Sequence, residues 1–274
     1  MDNGKANTLS KKRIWQITGI MLAVVAAGAV LLYAMIHSLQ GKSTSEHAAE
    51  ERPYSYSYET AIASNGMELH TLKTKPSNVT LTKVNNNVSL TPYYGINGGF
   101  FYEEALLSIA VVNSIPVNGA SGDYGNGAAN SKYARGTLVW DGSADQLSVQ
   151  IVRDASELKV KDNTRFWAQG GISMSLVEGV DWRQQIEAEQ APFADEERLR
   201  SAAVFDEDNM VYLVVSSTRG TLASFREAIL EKVGKAKLVD GIFLDGDGSS
   251  QLRSEEAVLT GDARPVVQML RIVK

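Results

Sequence analysis

Cysteine is absent from all 274 residues, and with it go disulfides, thiolate metal sites, thiol nucleophiles and a lipidated cysteine anchor. Histidine is nearly absent, at three residues. His37 and His47 fall in the N-terminal fifth of the chain, so a Ser-His-Asp device would have to rest on His70 alone. That residue stands in the alternating run Met67-Glu-Leu-His-Thr-Leu72, where a surface strand position is the ordinary expectation. Basic charge is short in the body of the chain. The first 40 residues hold Asp2 against Lys5, Lys11, Lys12 and Arg13, which leaves 31 acidic and 23 basic side chains for the rest. An acidic body argues against nucleic acid as a partner and leaves a glycan or sugar-phosphate open.

Long apolar runs are missing with one exception. Ile17 to Ile36 reads ITGIMLAVVAAGAVLLYAMI without a charge, roughly 30 Å as a helix and the thickness of a bilayer's hydrocarbon core. Lys11, Lys12 and Arg13 precede it, while Lys42 beyond it is offset by Glu46, Glu50 and Glu51. The positive-inside bias therefore predicts a cytoplasmic tail over 1–16, a signal anchor over 17–36 and everything later on the extracytoplasmic side of the cell membrane. A cleavable signal peptide has a shorter apolar core closed by small residues, which this run lacks. Residues 37–55 have nothing periodic to bury and read as a stalk, leaving 56–274 as one domain.

Within that domain the pattern of strands and helices predicts an α/β fold. Thr137–Trp140 and Leu147–Val152 flank an Asp141-Gly142 turn signal, and Ala202–Phe205 and Val211–Val215 flank Asp206 to Asn209, so two hairpins are expected. A helix begins near Thr221, with Ser224 and Glu227 as a capping box, Leu222, Phe225, Ile229 and Val233 on one face, and Gly234 as its stop. Val239 to Leu244 follows as a strand. Asp181 to Arg200 reads as a second, solvated surface helix or an insertion.

Three stretches are rich in glycine and polar groups: Tyr94 to Phe101, Ala168 to Ser173, and Leu244 to Gln251. Paired glycines let a backbone approach a ligand closely, with Asn97, Gln169, Asp245 and Ser249 offering hydrogen bonds at strand ends; each stretch also reads as a tight turn. Asp245, Asp247, Ser249 and Glu256 take positions 1, 3, 5 and 12 of a calcium loop. However, Ser250 stands where that loop needs glycine, and a strand precedes it, so a less regular divalent-cation site at Asp247 is the better metal reading. Arg200 precedes a strand and Arg219 a helix start, which suits either an anion or a surface ion pair.

Taken in order, Ile96-Asn-Gly-Gly-Phe-Phe101, Gln169-Gly-Gly171, Arg200-Ser-Ala, Thr218-Arg-Gly-Thr-Leu222, Leu244-Asp-Gly-Asp-Gly-Ser-Ser250 and Arg264-Pro-Val resemble the phosphodiester glycosidase family. The resemblance implies an α/β (mixed α+β) domain with an extended mixed sheet and flanking helices, and a reaction that cleaves a sugar from a phosphodiester by attack at the anomeric carbon. It implies Asp245, Asn97, Arg200 and Ser249 as the catalytic set. Gly98, Gly99, Gly170, Gly171, Arg219, Gly248 and Ser250 are then expected around the substrate. Two departures from the family pattern stand out. Asp247 replaces the middle glycine of the usual Asp-Gly-Gly-Gly-Ser, and Ser216-Ser217-Thr218 replaces an Asp-Gly after the penultimate strand. A non-catalytic glycan- or phosphate-binding protein on the same fold is the alternative expectation.

Overall fold

The structure, a computed structural model, describes residues 55–177 and 179–273. The expected tail, anchor and nearly all of the stalk lie outside these residues. No helix among the described residues is long and apolar enough to cross a membrane.

The domain is mostly β-sheet with two helices. In place of one extended mixed sheet it has three separate sheets and a small hairpin. Every strand pair among the described residues is antiparallel. Pairs joined by a short turn, such as Tyr56–Ile62 with Glu68–Thr74, can only be antiparallel, because parallel neighbours need a crossover of a dozen or more residues. The first sheet runs, edge to edge, Tyr56–Ile62, Glu68–Thr74, Val211–Ser216, Ser201–Asp206, Leu238–Phe243 and Ile172–Ser173. The second runs Gln146–Val152, Arg135–Asp141, Phe166–Gly170, Ala110–Val112 and Ile115–Pro116. The third runs Val258–Leu259, Leu252–Arg253, Tyr94–Asn97, Val266–Ile272 and Val79–Asn86.

Both expected hairpins form, pairing Trp140 with Leu147 and Ala202 with Val214. The continuous apolar runs Ala202–Phe205 and Val211–Val215 follow from burial on both faces of the first sheet. Ala203, Phe205, Leu213 and Val215 face a core shared with Leu138, Trp167, Ile96 and Leu270 of the other sheets. Ala202, Val204 and Val214 face a second core under the helix Leu222–Lys232. That helix buries Leu222, Phe225, Ala228 and Ile229, with Val233 at its end, on the face the spacing predicts. Its cap is Thr221, whose hydroxyl accepts from the Ser224 N–H, rather than Ser224 itself. The other helix is much shorter than expected, Trp182–Ala188, capped by Asp181. Gln190 turns left-handed and Pro192 denies a further N–H, so 190–200 becomes a loop.

A polar seam runs where the sheets meet. The Gln268 amide of the third sheet donates to the Gln169 Oε1 of the second at 2.9 Å, and the Ser201 hydroxyl of the first donates to the Asn97 Oδ1 of the third at 2.8 Å. Glycine occupies the contacts where backbones touch. A Cβ on Gly171 would stand 2.2 Å from the Phe243 carbonyl oxygen, and one on Gly98 1.7 Å from Gln268 Oε1. Gly171→Ala should therefore cost on the order of 3 kcal/mol in a chemical denaturation curve. Unchanged stability would show that this glycine is there for something other than packing.

Candidate active site

The strand ends of all three sheets converge at one place. Ala202 pairs with Phe243, Ser201 with Val215 and Ile172 with Phe243, so in the first sheet the starts of two strands lie beside the ends of two others. Asn97 ends its strand in the third sheet, and Arg135 opens one in the second. A cavity of about 360 Å³ opens here. Its apolar wall includes Phe100, Phe101, Leu107, Phe193 and Leu222, and its polar groups are Arg135, Arg198, Arg200, Arg264, Asp245 and Asp247.

Asp245 follows the strand Leu238–Phe243 by two residues. Its carboxyl is pushed up to about 6, chiefly because packed protein replaces the water that would solvate its charge. Hydrogen bonds from the Ser249 hydroxyl and the Gly246 N–H, together with the charge of Arg264, pull the other way without winning. Arg200 is buried, and burial lowers its guanidinium to about 10, leaving it charged at neutral pH. Three backbone carbonyls hold it: Nε donates to Gly220 at 2.9 Å, and Nη2 donates to Phe193 at 2.8 Å and to Glu196 at 2.5 Å. Arg135 is held likewise, donating to the carbonyls of Glu189 and Gln190, with its guanidinium over the Phe100 ring at 5.3 Å.

The other guanidiniums are bound by carboxylates. Arg198 donates through Nη1 to Asp247 at 2.7 Å and through Nη2 to Glu196 at 2.8 Å, and stacks on the Phe193 ring at 3.9 Å. Arg264 is bound at the rim by Asp262. Asp247 receives a second guanidinium, from Arg219 at 3.2 Å.

Of the expected site residues, Asp245, Arg200 and Asp247 line the cavity. Asn97 stands behind it: Nδ2 donates to the carbonyls of Asp245 at 2.8 Å and Gly98 at 3.2 Å, while Oδ1 accepts from Ser201 and from the Gln251 N–H. Its hydrogen bonds are thus made within the protein. Ser249 is buried under Asp245, and the buried Ser250 hydroxyl has no hydrogen-bond partner among the described residues. Gly98, Gly99, Gly170 and Gly171 pack against backbone and amide groups, and a Cβ on Gly248 would meet Asp262 at 2.1 Å. Arg219 is outside the lining and reaches it only through Asp247. As for a metal, both Asp247 oxygens are taken by arginines, and the described residues hold no cluster of three His, Cys, Asp or Glu that could bind one. The segment Asp247–Ser249 is a 3-10 turn followed by a strand, and Glu256 accepts from the Tyr56 hydroxyl at 2.9 Å. His70 is half-buried rather than on the surface, bonded to the Tyr58 hydroxyl at 2.7 Å, and outside the lining.

Sequence reasoning missed Arg135, Arg198, Phe193 and the buried Glu189, whose carboxylate accepts from the Gly136 and Ser173 N–H groups. Arg264 was legible as part of a motif, and the other four carry no local signal.

No protein-family model matches the sequence, nor does any curated protein. Among solved structures the fold is similar to that of the zebrafish N-acetylglucosamine-1-phosphodiester alpha-N-acetylglucosaminidase catalytic domain, auto-inhibited by its pro-peptide. The TM-score is 0.58 at 13% identity, over 80% of this chain and 82% of that one. A hypothetical protein from Synechocystis overlays at TM-score 0.45 and 13% identity, over 80% of this chain and 62% of that one. At 13% identity the likeness to the zebrafish domain is one of fold.

Two stability predictions follow from the geometry. Asn97→Ala strands the Ser201 hydroxyl and the Gln251 N–H in a buried seam and should cost about 3 kcal/mol by denaturation; a loss under about 1 kcal/mol would contradict the clasp. Asp245 has a raised carboxyl, so the folded protein binds that proton more tightly than the unfolded chain. Its contribution to stability is full below about 4 and is lost as pH rises through about 6. Asp245→Asn should therefore melt higher than wild type at pH 7.5 and lose that advantage at pH 4, and equal shifts at both values would contradict the assignment.

Proposed function

We propose that this domain is a phosphodiester glycosidase-like hydrolase that cleaves sugar 1-phosphodiesters, held at the outer side of a membrane by the helix read over 17–36. Its substrates would then be cell-envelope or exopolysaccharide glycans made or exported nearby. The observation that carries the reading is Asp245, a carboxyl near 6 in a cavity rich in arginines and aromatic rings.

The chemistry suits those groups. Arg200 and Arg135 hold the phosphate, while Phe100, Phe101 and Phe193 offer faces for the sugar ring. Water attacks the anomeric carbon as its bond to the phosphate oxygen breaks; Asp245 takes the water proton, and the phosphate departs with the bonding electrons as a monoester. A glycosidase acting on an ordinary alcohol leaving group needs a second carboxylic acid to protonate it. A phosphate leaves as a stable anion, so one carboxylate and fixed positive charge suffice. Similarity of fold to the zebrafish glucosaminidase domain supports the same reading.

One observation favours the alternative of a non-catalytic phosphate- or glycan-binding protein. Asp247 occupies the Arg198 Nη1, withholding a donor from a departing phosphate. Hydrolysis of a panel of sugar 1-phosphodiesters by the full-length chain decides between them. Wild type should turn over at least one, with kcat/KM falling as pH drops below about 6, where Asp245 is protonated. Asp245→Asn should lose about two to four orders of magnitude. Substrate binding without turnover in either protein would sink the catalytic reading.

A further inference from the structure

We propose that Asp247 sets the charge of the substrate this cavity accepts, cancelling Arg198 so that a singly charged phosphodiester is favoured over a doubly charged phosphomonoester. The inference rests on the reading of the cavity as a site for a phosphodiester.

The four arginines around the cavity fall into two kinds. Arg200 and Arg135 donate to backbone carbonyls, which carry no net charge, so their positive charge is presented to whatever enters. Arg198 and Arg264 spend donors on carboxylates, Asp247 with Glu196 for the first and Asp262 for the second. Asp247 is the one of these three partners that itself lines the cavity. A phosphodiester carries one negative charge, whereas a phosphomonoester carries nearly two above its second pKa of about 6. With Asp245 ionised and Asp247 in place, the second charge of a monoester meets a carboxylate rather than the Arg198 Nη1 donor that Asp247 occupies. Since the monoester is also the product of the proposed reaction, the same contact hastens its release.

Asp247 has φ of 55°, in the left-handed region that glycine occupies without strain and that Asp tolerates better than most residues, so glycine can replace it there.

Isothermal titration of the full-length chain at pH 7.5 tests this, with glucose 1-phosphate and inorganic phosphate as the doubly charged probes and bis(4-nitrophenyl) phosphate as the singly charged one. Asp247→Asn should tighten the two doubly charged probes about tenfold and change the diester less than about threefold. Asp247→Gly, which suits the left-handed backbone, should do the same, so a folding defect in one variant is separable from the effect. Adding Arg198→Gln to Asp247→Asn should abolish the gain. Equal shifts for all probes, or a gain that survives loss of Arg198, would overturn the proposal. Anion binding with the predicted selectivity but no hydrolysis of any diester would leave it standing while removing the catalytic reading. No anion bound by any variant would remove both.

Discussion

Three antiparallel sheets pack around a shared core in this domain, and the constraint on everything else is that the backbone and side-chain polar groups at their junction find partners within the protein. Asn97 meets much of it. One amide there bonds the Asp245 and Gly98 carbonyls, the Ser201 hydroxyl and the Gln251 N–H, tying a strand of the third sheet to the first-sheet strand that Ser201 opens, to the loop carrying Asp245 and to the residue before the strand Leu252–Arg253. Gln268 and Gln169 do the same between the third and second sheets. Glycines let the strands come close enough for these amides to reach, which is why a Cβ on Gly98 or Gly99 would collide with a glutamine side chain. The loop carrying Asp245 is thereby fixed from behind, and its carboxyl faces forward into the cavity.

The electrostatics follow from that rigidity. A carboxylate beside arginines would ordinarily fall below its usual range, yet Asp245 rises to about 6. Desolvation outweighs attraction because the charge of Arg264 is shared with Asp262, and the nearby carboxylate of Asp247 further opposes ionisation. The result is a group ionised at neutral pH but still basic enough to accept a proton, which is the range a general base needs. A cationic wall above it, lined by aromatic rings, suits an anion joined to a sugar.

Local pattern carried much of this, and its failures have identifiable causes. The two hairpins and the amphipathic helix were legible because turn residues, alternation and 3.6-residue spacing are properties of short segments. The separation into three antiparallel sheets was not, because sheet membership depends on pairings between Asn97 and Met269, or Gln169 and Ala110, far apart in sequence. The site divides in the same way. Asp245 and Arg200 sit at strand ends beside glycine or serine, stand out in the sequence and line the cavity, whereas Arg135, Arg198 and Phe193 line it from a strand start and a loop whose positions only the fold determines. Asn97 and the paired glycines were conspicuous for a real reason, close packing around a polar seam, which from sequence looks the same as close approach to a ligand.

The central claim is that one carboxyl, raised by burial and surrounded by fixed positive charge, is the working group of an anion-binding cavity. Its most direct test is the titration of the Asp245 carboxyl carbon by NMR in the full-length chain, alone and with a non-hydrolysable sugar phosphodiester analogue. The account predicts a midpoint of about 6 that moves upward when the anion binds, since a second negative charge nearby disfavours ionisation. A midpoint near 3.8, the ordinary value for this carboxyl, or one that ignores the anion, would contradict it.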